Sequence, residues 1–250
     1  MAPMDAQVIA AMARWPNVPA VYGWLSLTES GQWRLHPAGD ALRLPGSKGE
    51  AITSPQILSF IDRNYGADTK GQWYFQNGPQ RVYVRLDAAP FTAHTATDTA
   101  TGRLKLRTHT GLDIREVTAL YLDETGRLYA STDRGPALIS GRDLPAVLDT
   151  LEAVPGATPA GTPPDAGAPD ALPHGTDIAE RLARCIETGE TILLRSRLLE
   201  GFPSAPLSLF HCRQAALEDR LHFRRMPVPE DGKAQSTQRA SGEPPGPASQ

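Results

Sequence analysis

The side chains best able to do chemistry in this sequence are six histidines and two cysteines, and their spacing offers no reactive set. His36, His94, His109, His174, His211 and His222 are scattered. None stands in an H-x-x-x-H or H-E-x-x-H arrangement, and none has carboxylates at ligand spacing, so no metal is expected. His94 and His109 would supply two ligands if they faced each other across strands, but they read more simply as polar strand residues. His211 and Cys212 are adjacent on an extended segment, where neighbours point to opposite faces, so they do not form a dyad. Cys185 and Cys212 lack C-x-x-C spacing and read as inert, buried thiols. The chain has no G-x-G-x-x-G, no Walker A sequence and no G-x-S-x-G elbow. No cofactor and no catalytic residue follow from motifs.

One polar segment remains: Gln76-Asn77-Gly78-Pro79-Gln80-Arg81. It lies between two strongly β segments, where Asn-Gly before Pro makes a sharp turn or bulge. Arg81 is suited to hold a carboxylate or phosphate through two parallel hydrogen bonds. Gln76, Asn77 and Gln80 add amides, and Arg63 and Asn64 upstream add further polar groups. The expected ligand is a small anionic metabolite or a protein partner, bound by a non-catalytic regulatory module. Against this stands a plain hairpin whose amides satisfy their own backbone.

Two other functions stay open. One is an enzyme without a recognised motif, hydrolytic in type, using Asp62 or Asp87 with His94. The other is an interaction scaffold that uses a proline-rich segment as its contact element. Four turns end in glycine: Thr28–Gly31, Asp68–Gly71, Thr99–Gly102 and Asp123–Gly126. They lack the alternating carboxylates of a calcium loop and read as hairpin turns. Arg220, Arg224 and Arg225 flank His222 and Phe223, but Glu218 and Asp219 sit beside them. With a net charge of −3 as well, nucleic acid is not the expected partner.

The elements that would carry these residues are legible from periodicity. Val8, Ile9, Met12 and Trp15 recur at helical spacing over 4–14, and Pro16 ends the helix. Strands over 20–27 and 32–35 form a hairpin, followed by a Gly/Pro-rich loop over 37–50. Ser54 caps and Pro55 starts a second helix with Ile57, Leu58, Ile61 and Tyr65 on one face and Gly66 as its stop. Strands are expected over 72–76, 81–86, 104–108, 117–122, 127–131 and 137–139, as an antiparallel meander. Asp143 caps a third helix.

Of 250 residues, 23 are Pro and 22 Gly, unevenly spread, and aromatics make up only 6%. Residues 154–175 read as a disordered linker and 227–250 as a disordered tail. After the linker come a helix started by Asp177 and Glu180, strands over 191–195 and 207–211, a short helix over 215–221 and a last strand over 221–223. The unit 176–226 is too small to be stable alone and should complete the same domain as 1–153. The fold class is therefore α+β, mainly antiparallel with a few packed helices. The N-terminus lacks the charged and apolar regions of a secretory signal, and no stretch reaches the ~18 apolar residues of a membrane span. A bacterial, cytoplasmic protein is expected.

Val21-Tyr-Gly-Trp-Leu25, Phe60-Ile-Asp-Arg-Asn-Tyr-Gly66 and Gly71-Gln-Trp-Tyr-Phe-Gln-Asn-Gly-Pro-Gln-Arg-Val-Tyr-Val84 resemble an uncharacterised proteobacterial family, a domain of unknown function. The likeness covers about residues 5–153 and resumes near 190–227. The order of hairpin, helix and G-x-W strand, with Ala89-Pro90-Phe91, is similar to a second uncharacterised bacterial family. That likeness implies a two-lobed α+β arrangement. Neither resemblance implies an activity.

Overall fold

The computed structural model describes residues 4–44, 46–154 and 178–229. Helix α1 spans Ala6–Arg14. Strands β1 (Val21–Leu27) and β2 (Trp33–Leu35) form the expected hairpin, with Leu25 opposite Leu35. Strand β3 is Glu50–Ala51. Helix α2 covers Pro55–Arg63; the Ser54 hydroxyl accepts from the Ile57 amide and proline occupies the first turn. Strands β4 (Tyr65–Ala67), β5 (Trp73–Asn77) and β6 (Gln80–Leu86) follow.

The next run is β7 (Phe91–Thr97), β8 (Leu104–Thr108), β9 (Val117–Leu122), β10 (Leu128–Thr132) and β11 (Ala137–Ile139). Then come α3 (Leu144–Leu148), β12 (Glu152–Ala153), α4 (Ile178–Thr188), β13 (Ile192–Arg195), β14 (Leu207–His211) and α5 (Gln214–Arg220).

The strands make two sheets. The first has the order β3-β2-β1-β6-β5-β4 and the second β12-β13-β14-β9-β10-β11-β7-β8. Most neighbours are antiparallel, as expected, but the meander is not. Three pairs are parallel: β1 with β6, β11 with β7, and β14 with β9. Each joins strands that are not consecutive in the chain, so each needs a crossover that a meander lacks. Residues beyond the proline-rich segment thus enter the second sheet beside β9. A single apolar cluster runs through both sheets, with Leu27, Trp33, Trp73 and Phe75 from the first and Phe91, Leu106, Leu120 and Tyr129 from the second.

Several expectations of detail are corrected. On α1 only Val8 is buried, while Ile9 and Trp15 face outward. On α2 Ile61 is buried and Ile57 is exposed. The helix stops at Asn64, before Gly66, and Tyr65 opens β4. The strand expected over 221–223 is absent, since His222 takes a positive φ of 54° and turns the chain. From there residues 224–229 run back along the first sheet. Arg224 bridges Gln72, the Arg224 amide donates to the Gly71 carbonyl, and the Val228 amide to Gln72 Oε1. Strand β7, which begins at Phe91, was not among the expected strands. Residues 155–175 of the linker expected over 154–175, the Asp177 cap and residues 230–250 of the tail expected over 227–250 lie outside the described residues, while 227–229 of that tail are described against the first sheet.

Candidate functional site

The β5–β6 connection is a two-residue hairpin loop, with Asn77 paired to Gln80 and Gly78 and Pro79 at its tip. Gly78 has φ 57°, the left-handed value that a tight hairpin with proline second in its loop requires of the first residue. The register then decides which side chains meet. Tyr74 lies opposite Tyr83, and Gln76 opposite Arg81. Side chains alternate along strands, so these four share one face of the sheet, while Trp73, Phe75 and Val84 point into the core. Tyr22 of β1 joins that outer face and stacks on Tyr83, with centroids 4.6 Å apart and planes 4° from parallel.

Above this face opens a cleft of about 660 Å³. Its polar wall includes Gln76, Arg81, Tyr83, Asp68 and Lys70. Its apolar wall comes from the end of α1 and the loop after it, with Met12, Trp15, Val18 and Pro19. Pro229 closes one side. The volume falls within the usual range for small-molecule sites.

The guanidinium of Arg81 sits 4.6 Å over the Tyr74 ring, which sets its orientation before any ligand arrives. The Tyr83 hydroxyl donates to Asp68 Oδ2 at 3.1 Å. Asp68 is spent on its own turn: Oδ1 accepts from the amides of Lys70 and Gln72, and Oδ2 also accepts from the Gln72 side chain. Gln76 is only 1% exposed. Its Nε2 donates to the Gly78 carbonyl at 2.9 Å, which leaves Oε1 as a buried acceptor without a protein donor. Such an atom costs about 1–3 kcal/mol unless something supplies a hydrogen bond.

The other expected residues have different duties. Asn77 is exposed at the loop. Gln80 donates to the Pro19 carbonyl at 3.1 Å and so ties the hairpin to the apolar wall. Arg63 binds the Asp5 carboxylate through Nε at 3.1 Å, and Asn64 both accepts from the Asp5 amide and donates to its carboxylate. These two residues fasten the start of α1. They hold Asp5 below the usual carboxylate range, Arg63 chiefly and then Asn64. The Asn64 carbonyl accepts from the Gln76 amide, so this anchor abuts the hairpin through the backbone.

Asp62, Asp87 and His94 are held by three different partners. Asp62 accepts from the Trp33 indole at 2.9 Å, and burial pushes its carboxyl up. Asp87 takes Arg85 at 3.1 Å, and His94 bonds to Asp143 at 3.0 Å. Asp143 therefore serves His94 and Thr95 rather than capping α3 through its side chain. Both cysteines are free and buried, and burial pushes the Cys185 thiol up to about 11. Among the described residues no group of three or more His, Cys, Asp or Glu is placed to hold a metal ion.

Sequence reasoning missed one constellation. Ser26 Oγ lies 2.8 Å from His36 Nε2, and His36 Nδ1 lies 3.1 Å from Ser47 Oγ and 3.5 Å from Asp40. The order Ser–His–Asp invites a nucleophile reading. Yet Ser26 and His36 are each 0% exposed, so a substrate carbonyl has no path to the Oγ. Burial first, and then the Arg85 charge, hold the His36 pKa below its ordinary value. Arg85 meanwhile donates to the carbonyls of Ala41 and Ser47. The group pins the 37–49 loop onto β1 and β6.

The chain belongs to the family described as "Protein of unknown function (DUF2946)", whose model matches residues 4–227. Two solved structures are similar. A DUF1285 family protein from Silicibacter pomeroyi DSS-3 is 17% identical, over 60% of this chain and 86% of that one, with a TM-score of 0.39. A DUF1285 family protein from Shewanella baltica OS155 is 11% identical, over 51% of this chain and 91% of that one, with a TM-score of 0.36. No curated protein matches the chain. No helix among the described residues is long and apolar enough to cross a membrane.

Proposed function

We propose that the protein is a non-catalytic binding module of the bacterial cytoplasm, and that it takes a small anionic metabolite in the cleft over the β5–β6 hairpin. Arg81 supplies the anion contact. Trp15, Met12 and Val18 cover the ligand's apolar part. The observation that carries this reading is a guanidinium stacked on the Tyr74 ring on the wall of a ligand-sized cleft.

The test is a thermal-shift screen of pooled anionic metabolites against wild type and Arg81→Ala. A ligand at a hundred times its Kd stabilises the native state by about 2.7 kcal/mol, enough to read as a shift of several degrees. The expected result is at least one compound that raises the wild-type Tm and leaves Arg81→Ala unmoved. A screen in which no compound behaves that way overturns the proposal.

A further inference from the structure

A second cleft, of about 350 Å³, opens between α2 and the turn after β8, and it shares no lining residue with the first. Pro55, Leu58 and Leu112 give it apolar walls. Two charged residues also line it, Asp62 and Arg63, neighbours near the end of α2. The volume lies at the small end of the range for ligand sites, enough for a few heavy atoms.

The two charges do not answer each other. Neighbouring residues on a helix point in different directions. Arg63 is directed at Asp5, through Nε at 3.1 Å and Nη2 at 3.2 Å, and its Nη1 donates to Ser59 at 2.6 Å. Asp62 Oδ1 accepts from the Trp33 indole at 2.9 Å. Its Oδ2 accepts from no protein donor, and its carboxylate forms no ion pair, among the described residues. A half-buried carboxylate without a partner is costly. Burial accordingly pushes the Asp62 carboxyl up, against the Trp33 bond and the Arg63 charge. The cleft thus holds an unanswered negative charge beside apolar walls. A bare metal ion needs several oxygen or nitrogen ligands, and among the described residues no group of three or more His, Cys, Asp or Glu could supply them. An ammonium on a hydrocarbon chain uses both the charge and the walls.

We propose that this cleft binds a primary ammonium group carried on a short aliphatic chain, with the nitrogen on Asp62 Oδ2 and the chain against Leu58 and Leu112. The inference is independent of the anion cleft, and either can fail without the other. A free alkylamine and the lysine side chain of a partner protein both carry this group.

The Trp33 indole gives the experiment its reporter, because its N–H donates to the same carboxylate. The full chain is labelled with ¹⁵N and its indole N–H peaks are followed by NMR. The sequence has four tryptophans, so these peaks are few, and the one missing from Trp33→Phe belongs to Trp33. The probes are n-butylamine and Nα-acetyllysine methylamide, titrated at pH 7.5 and constant ionic strength. At least one should give a saturable shift of the Trp33 peak. Its affinity should fall by about tenfold or more in Asp62→Asn, which keeps an amide oxygen for the indole. n-Butanol, which has the same chain without the charge, should bind about tenfold or more weakly than n-butylamine where the amine is free. The probe that saturates at the lower concentration tells whether the amine is free or a lysine side chain. No saturable shift with either probe overturns the proposal. So does an equal response in Asp62→Asn, or n-butanol matching the better probe. The n-butanol comparison needs only wild type, so it decides even where Asp62→Asn fails to fold.

Discussion

The backbone amide of Thr92 donates to Nδ1 of His109 at 3.3 Å, which fixes the imidazole as a neutral ring with its proton on Nε2. That Nε2 is enclosed and has no polar partner, although the residue as a whole is partly exposed. Around it stand Trp33 at 5.6 Å, Tyr65 at 6.3 Å and Phe91 at 5.8 Å. Burial first, and then the charge of His94, push the pKa down to about 3. The sign follows directly. The folded ring stays neutral while the unfolded ring takes a proton below about 6.5, so protons favour unfolding. Stability from this group is complete above that pH and falls as pH drops from about 6.5 towards 3. The slope is up to about 1.4 kcal/mol per pH unit. Urea unfolding at pH 7.5, 6.0 and 5.0 should show the decline, and His109→Gln should flatten it. His36, also held low, contributes in the same direction, so the variant leaves a residual slope.

Gly71 marks where the C-terminal segment crosses the first sheet. A Cβ there would stand 2.6 Å from the His222 carbonyl, and the residue has φ 76°. Gly71→Ala therefore has to push residues 222–224 away and adopt a disfavoured backbone conformation, at a cost of about 1–3 kcal/mol. The measurement is the urea midpoint.

How much of this was legible in the sequence depends on the distance over which each feature is determined. The strands at 104–108, 117–122, 137–139 and 207–211 coincide with the expected spans, since the β-forming runs that mark them are local. The α2 start at Ser54-Pro55 was local too. The parallel pairs were not legible, because β1 finds β6 through contacts between segments some sixty residues apart. Strand β7 was hidden by Pro90 and by the small residues Thr92, Ala93, Thr95 and Ala96, whose burial is imposed by neighbouring strands. At the site, Arg81 was visible as a cation beside a turn. The alternation in 72–76 and 81–86 also held the better grouping of Tyr74, Gln76, Arg81 and Tyr83 on one face. The cleft itself was invisible, for its walls come from residues near 12–22, 68–83 and 229. Arg63 and Asn64 looked like site residues because nothing local shows that Asp5 claims them.

Arg81→Lys separates charge from shape. Lysine keeps the positive charge but loses the plane that stacks on Tyr74 and the fork that holds an anion through two bonds. Ligand affinity should fall by about tenfold or more, on the scale of about 1.4 kcal/mol per decade, while the urea midpoint moves little. Isothermal titration with the ligand found in the thermal-shift screen decides it. Unchanged affinity would mean that Arg81 acts as a point charge and that its stacking on Tyr74 is only packing.

The Ser26–His36 pair yields the sharpest distinction between structure and chemistry. If the pair clamps the 37–49 loop, His36→Ala leaves the buried Ser26 and the half-buried Ser47 without their partner and costs about 2–4 kcal/mol. A fluorophosphonate probe should not label Ser26 in the folded protein, because both side chains are sealed from solvent. An activated serine would behave in the opposite way: rapid labelling lost in His36→Ala, with the urea midpoint preserved. Intact-mass analysis after probe treatment, paired with urea unfolding of the same two proteins, reads both outcomes. The clamp predicts zero labels and a large loss of stability, since the loop then depends on the Arg85 bonds to the Ala41 and Ser47 carbonyls and on the Ala41 amide donating to the Gly23 carbonyl.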